Sequence, residues 1–173
     1  LARGRDVDVA VAIQGGGLQA GGDLILSATS NVTTIASTAP DASSTDSSTD
    51  AASATSVVSS DAKVQVTSAV DMDAVGSATL TANNAVNVTT TADGTRGTDA
   101  AGAWGGAVAV AVVTANTEAS ISGTSALTAT DIAVTATSDQ TVTTWAKSTQ
   151  GGAEETTSGT NDGEDALADP AGD

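Results

Sequence analysis

Apolar side chains return at every second position in several stretches of the chain: "DVDVAVAI" (6–13), "AKVQV" (62–66), "AVAVAVV" (107–113) and "TEASI" (117–121). Successive side chains of a strand point to opposite faces, so this spacing predicts strands with one buried face. Three longer phrases share the pattern and much of their wording: "LQAGGDLILSATS" (18–30), "LTANNAVNVTTTAD" (80–93) and "LTATDIAVTATSD" (127–139). Each reads as a short strand, a turn of two or three polar or Gly residues, and a second strand.

Aligning the phrases places Leu18, Leu80 and Leu127 in one register, followed by Ala20, Ala82 and Ala129. Leu24, Val86 and Ile132 come next, then Leu26, Val88 and Val134. The step from Leu18 to Leu80 is longer than the step from Leu80 to Leu127. The longer step contains "STAPDASSTDSSTDAASATS" (37–56), which lacks apolar periodicity and is expected to be a loop. Self-similarity at about 46 residues, with several short strands per unit, is the signature of a stacked repeat.

The expected fold is therefore all-β, a parallel β-helix (β-solenoid) over 1–148 of about five or six coils, each of roughly 23 residues. Equivalent residues would form ladders along its axis. The expected interior is Leu18, Leu24, Leu26, Val64, Val66, Leu80, Val86, Val88, Val110, Val112, Ile121, Leu127, Ile132 and Val134. Ser/Thr/Asp-rich loop insertions at 37–56 and 93–103 would project from one side, with an acidic Gly/Thr-rich loop or tail over 149–173.

Composition supports strands and a thin interior. Phe and Tyr are absent, Trp104 and Trp145 are the two aromatic residues, and the apolar fraction is mainly Ala and Val. Ser and Thr abound, and β-branched residues favour strands over helices. The formal charge is -16, from 21 acidic against five basic residues. Such a surface repels polyanions, so nucleic acid is not an expected partner. Without cysteine no disulfide framework is available, and stability must come from backbone pairing and packing. The most apolar run, "AAGAWGGAVAVAVVTA" (100–115), is shorter than the roughly 20 residues of a spanning helix and reads as a buried strand, so this segment is not expected to insert into a membrane. The chain opens in mid-pattern, as a piece of a longer protein would.

The run "GGAVAVAVVTANTEASISGTSALTATDIAVTATSDQTVTTWAKS" (105–148) resembles a repeat unit of the large bacterial surface adhesins and exoproteins of the filamentous-haemagglutinin kind. The likeness lies in a small-residue strand ending "V-x-x-N-T-x-A", a Gly turn, then "L-T-A" and "I-x-V-x-A". Weaker copies at 57–93 and 5–30 extend it over most of the chain, although the second copy has "AVDMDAVGSAT" where the third has "NTEASISGTSA". The resemblance implies a right-handed β-helix, export across the outer membrane, an extracellular or cell-surface location, and a non-enzymatic role as a surface rod. Expected partners are other cell surfaces, matrix or carbohydrate, or further copies joined end to end or side by side; a filament or sheath subunit is the alternative role.

Candidate chemistry is sparse. Asp71 and Asp73, two apart on a strand, would hold their carboxylates roughly 7 Å apart, in the range of an inverting glycosidase pair. A solvated face around an inward Met72 explains them equally, and no histidine is available as a base. No catalytic residue is assigned and no cofactor is expected, with Ca²⁺ the one candidate. Asn161, Asp162, Glu164 and Asp165 in "TNDGED" offer oxygens a Ca²⁺ ion could use, without the full spacing of a calcium loop. Trp104 and Trp145 could stack on sugar rings or plug a thin core. Outward pairs Ser27/Thr29, Thr89/Thr91 and Thr135/Thr137 suggest an ice-matching array, interrupted by Gln65 and Ala111 at outward places; the sequons at Asn31 and Asn87 complete the set.

Overall fold

The computed structural model describes residues 1–39, 49–95 and 104–148. Among these, all regular structure is β. Seven strands follow in order: β1 (Ala2–Ala20), β2 (Leu24–Thr38), β3 (Thr49–Ala74), β4 (Ala78–Gly94), β5 (Trp104–Ile121), β6 (Ala126–Thr128) and β7 (Ile132–Ser148). All pairings are parallel. Sheet A has the order β1-β3-β5, with β6 continuing beside the end of β3; sheet B has the order β2-β4-β7. The chain thus alternates between the sheets, and each return lays a new strand beside the one laid a pass earlier.

This pairing sets the true repeat. Leu18 pairs with Met72, and Met72 with Leu127. In sheet B, Leu24, Ala78 and Ile132 form one column, and Leu26, Leu80 and Val134 the next. The first and third phrases are therefore equivalent, as their wording suggests. The second is not: Leu80 belongs with Leu26 and Val134, and the residue in register with Leu18 and Leu127 is Met72. Wording misleads because Leu-Thr-Ala recurs inside a strand of similar composition. One pass is the interval from Leu18 to Met72, more than twice the expected coil, and the strands run to 26 residues.

Strand length is masked in the sequence by polar residues on the inward face. Ser30, Thr34, Ser56, Ser60, Asn84 and Thr90 are all buried, so the alternation of small side chains continues where the alternation of apolar ones lapses. Most are held by bonds between the sheets. The Ser30 and Ser60 hydroxyls share a 2.9 Å bond, Ser60 donates to Asn84 Oδ1 at 2.7 Å, and Asn84 Nδ2 donates to the Ser60 carbonyl at 2.7 Å. Thr90 donates to Ser56 Oγ at 2.7 Å. Burying these groups unpaired would cost about 1–3 kcal/mol each, so the pairing makes a polar seam tolerable inside a thin core.

The apolar interior falls into three clusters around this seam. The largest joins Leu24, Val64, Val66, Val70, Met72 and Leu80; a second holds Val32, Val58, Val86 and Val88; a third is built of Ala52, Ala54 and Ala92. Of the expected interior, Leu24, Val64, Val66, Leu80, Val86 and Val88 are buried, while Leu18, Leu26, Ile121 and Leu127 pack half-buried against the first cluster. Val110 and Val112 face outward: the inward residues of β5 are Ala109, Ala111 and Val113, opposite Ala54, Ser56 and Val58. In "AVAVAVV" either phase is apolar, and pairing with β3 selects the smaller set. The apolar run that this strand carries is accordingly only half-buried, and Ala111 is inward rather than outward. Ile132 and Val134 stand in the inward columns of β7 yet remain exposed, at 52% and 45%.

The expected loop at 37–56 is also revised. Residues 37–38 close β2 and 49–56 belong to β3, and residues 93–94 of the second expected insertion close β4. Residues 40–48, 96–103 and 149–173 lie outside the described residues.

An irregularity divides sheet A at one level in every pass. The β1–β3 register shifts between Gln14 and Gly16, and left-handed backbone recurs at Gly15, Gly16, Ser68 and Gly123. A side chain on Gly123 would crowd the Ser68 backbone at 3.1–3.3 Å, so glycine suits this corner on two counts. The turns between the sheets also stack: Gly76 N–H donates to the Gly22 carbonyl at 3.0 Å and Thr130 N–H to the Gly76 carbonyl at 2.9 Å.

Candidate functional site

The outer face of sheet B is an extended polar surface. Its cross-strand rows read Ser27–Thr81–Thr135, Thr29–Asn83–Thr137, Asn31–Ala85–Asp139, Thr33–Asn87–Thr141, Ile35–Thr89–Thr143 and Ser37–Thr91–Trp145. Strands about 4.8 Å apart with outward residues roughly 7 Å apart make this a regular grid of hydroxyls and amides. The wording of the sequence pairs Thr89 and Thr91 with Ser27 and Thr29; the register puts Thr81 and Asn83 there instead. A shallow depression lies along the middle rows, lined by Asn31, Thr33, Ala85, Asn87, Asp139 and Thr141. The two sequon asparagines, Asn31 and Asn87, therefore both face outward here.

Trp145 closes the grid. It lies on β7 beside Thr91 and is 49% exposed, so it does not plug the core. The next outward row holds Asp93 and Lys147, register partners on β4 and β7. Hydrogen bonds from the Thr95 hydroxyl and main-chain N–H, helped by Lys147, hold the Asp93 carboxyl below the usual carboxylate range. An indole face beside hydroxyl and amide groups can take the apolar face of a sugar ring while its neighbours hydrogen-bond the ring hydroxyls. Trp104 opens β5 opposite Thr49; its side chain lies outside the described residues.

Asp71 and Asp73 occupy the outer face of sheet A, exposed, with Met72 between them buried at 2%. They line an open depression with Gly17, Gln19, Ala126 and Thr128. Among the described residues no cationic group lines it. Among the described residues no three acidic, histidine or cysteine side chains gather where they could hold a metal. Asn161, Asp162, Glu164 and Asp165 lie outside the described residues.

Two charged clusters, one on sheet A and one at the turn between the sheets, escape the sequence reading. Lys63 Nζ meets Asp61 Oδ2 at 2.6 Å, and this bond, with the fields of Asp61, Asp8 and Glu118, raises the lysine above its ordinary range. Glu118 stands beside Lys63 in the register; hydrogen bonds from Ser120 (2.7 Å) and Gln65 lower its carboxyl. At the turn, the Ser77 main-chain N–H (2.8 Å) and hydroxyl (3.0 Å) both donate to Asp23 Oδ1, and the main-chain bond is the larger cause of a lowered carboxyl there. An offset of one full pass, applied to the sequence, places Glu118 beside Lys63 and Ser77 beside Asp23.

Compared with protein-family models, with curated proteins and with solved structures, the chain matches none.

Proposed function

We propose that the chain is a non-enzymatic structural and adhesive segment of a large extracellular repeat protein, wound as a right-handed parallel β-helix. It acts as a surface rod whose sheet B outer face contacts carbohydrate on cells or matrix. The observation that carries this reading is the exposed Trp145 at the end of a Ser/Thr/Asn-rich grid on the outer face of sheet B. Backbone ladders in two sheets supply stiffness, and the likeness of 105–148 to adhesin repeats of the filamentous-haemagglutinin kind points the same way.

Retention of the chain on immobilised polysaccharides, matrix and fixed cells tests the proposal. Wild-type chain should be retained on at least one surface, and Trp145→Ala should weaken retention by about tenfold, the loss of one stacked aromatic contact. Absence of retention on every surface, or polysaccharide turnover that disappears in Asp71→Asn, would overturn it.

A further inference from the structure

Ala85 is the smallest residue among the outward positions of β4 from Thr79 to Thr91, and longer polar side chains surround it. Asn31 of β2 and Asp139 of β7 flank it in its own row, while Asn83 and Asn87 precede and follow it on β4. Its methyl group therefore floors the shallow depression that Thr33, Asn87 and Thr141 complete in the next row. Asn31, Ala85 and Asp139 each stand seven residues into their strands, counted from Leu24, Ala78 and Ile132. This mid-strand position lies roughly 20 Å or more along the strands from either end of the sheet. The openness of the floor thus follows from the register of described neighbours.

The rim offers a defined set of groups. Asn31 and Asn87 carry amides that donate and accept, Thr33 and Thr141 hydroxyls that do either, and Asp139 a carboxylate that only accepts. All five are exposed. Elsewhere Asp61, Asp93 and Glu118 each meet a side-chain donor two residues along the chain, at Lys63, Thr95 and Ser120. Thr141 holds that place relative to Asp139, yet among the described residues it makes no such bond, and the carboxylate keeps its accepting positions. Among the described residues no cationic side chain lines the depression, and a carboxylate beside its floor repels anions.

We propose that this depression is a subsite for one neutral sugar ring of a polysaccharide, separate from Trp145. The C–H face of the ring lies on the Ala85 methyl group. Its hydroxyls donate to Asp139 and exchange hydrogen bonds with the Asn31 and Asn87 amides and the flanking threonines. Three strands by two rows give a footprint of about 10 Å by 7 Å, which suits a single hexose with its hydroxyls. Uronate and sulfated sugars are refused, because Asp139 repels them and no cation in the lining receives them. Trp145 lies six residues further along β7 than Asp139, so one ring does not reach both. The inference rests on the carbohydrate reading of the sheet B outer face, and adds where a ring sits and which sugars are turned away.

Native electrophoresis of the full chain through gels containing galactomannan, dextran or hydroxyethyl cellulose, with alginate as the acidic polymer, tests the subsite. Relative to a polymer-free gel, at least one neutral polymer should retard the chain saturably, and alginate should not. Ala85→Leu fills the floor from an outward position and leaves the core untouched; it should raise the dissociation constant about tenfold or more. Asp139→Ala should raise it about tenfold, the loss of a charge-assisted acceptor. Asp73→Ala, on the outer face of sheet A, should change nothing. Retardation that Trp145→Ala abolishes but that is indifferent to both Ala85→Leu and Asp139→Ala overturns the subsite and leaves the carbohydrate reading in place. Stronger retardation by alginate than by every neutral polymer does the same. Retardation by none of the four overturns the subsite, and the carbohydrate reading falls with it if matrix and fixed cells also fail to retain the chain. Self-association in sedimentation that Ala85→Leu abolishes overturns the subsite too, since the occupant would then be a second copy.

Discussion

β4 and β7 lie side by side in sheet B and present similar residues in most inward columns, Gln140 opposite Val86 being the exception, yet the burial of their inward faces differs sharply. Ala78, Leu80 and Val88 of β4 are 0% exposed; their partners Ile132, Val134 and Val142 of β7 are about half exposed. Asn84 of β4 is bonded to Ser60 across the core, while its partner Ser138 lies in the open. In the columns of Leu80 and Val88, neither hydropathy nor strand propensity separates the two strands. What separates them is that, among the described residues, β4 packs against two sheet A strands and β7 against one. Burial in this architecture is a property of the pass, and a residue's energetic weight follows its place in the stack.

Truncations should show this difference most strongly. Leu80→Ala, in the covered pass, should cost about 2–5 kcal/mol by the midpoint of urea unfolding. Val134→Ala, one strand away in the same column, should cost under about 1 kcal/mol, because little apolar area leaves contact. Equal losses would show that the third pass is as well covered as the second.

The polar seam gives the next largest contrast. Asn84→Ala removes a side chain that accepts from the Ser60 hydroxyl and donates to its carbonyl, and should cost about 1–3 kcal/mol. Ser138→Ala should fall within about 0.5 kcal/mol of wild type. A neutral Asn84→Ala would mean that the seam is a consequence of the packing and not a constraint upon it.

The turns sharpen the comparison through pH. The Asp23 carboxyl is lowered in the folded chain, so the unfolded chain binds the proton more readily. Its contribution is present above the ordinary Asp value, about 4, and is lost as pH falls through the lower folded value. The melting temperature of wild type should therefore drop more between pH 7 and pH 3 than that of Asp23→Ala. The smallest effect is expected at Lys63, whose folded value is raised. Its contribution is present below the ordinary lysine value, about 10.4, and is lost as pH rises through the higher folded value, so Lys63→Met should flatten the alkaline limb of the melting profile slightly.

Much of the candidate face is legible in the sequence as residues and little of it as an arrangement. Trp145 and the threonines stand out by their types, but Thr89 and Thr91 fall in the wrong rows when the register is taken from wording. The spacing that brings Asp23 to Ser77 and Lys63 to Glu118 is present in the interval from Leu18 to Leu127, which two passes divide nearly evenly at Met72. It is hidden by the recurrence of Leu-Thr-Ala at Leu80, a residue of the other sheet.

The chain by itself determined that it forms strands, that they carry an inner and an outer face, and that a unit recurs. Those properties depend on side-chain type and on the alternation of the extended backbone, both local. Only the tertiary structure decided the length of a pass, the phase of "AVAVAVV", and which of two like strands is covered. These depend on hydrogen-bonded register and on neighbours a full pass away along the chain, and Ala, Ser, Thr and Val are too similar in size for short-range pattern to distinguish one register from the next.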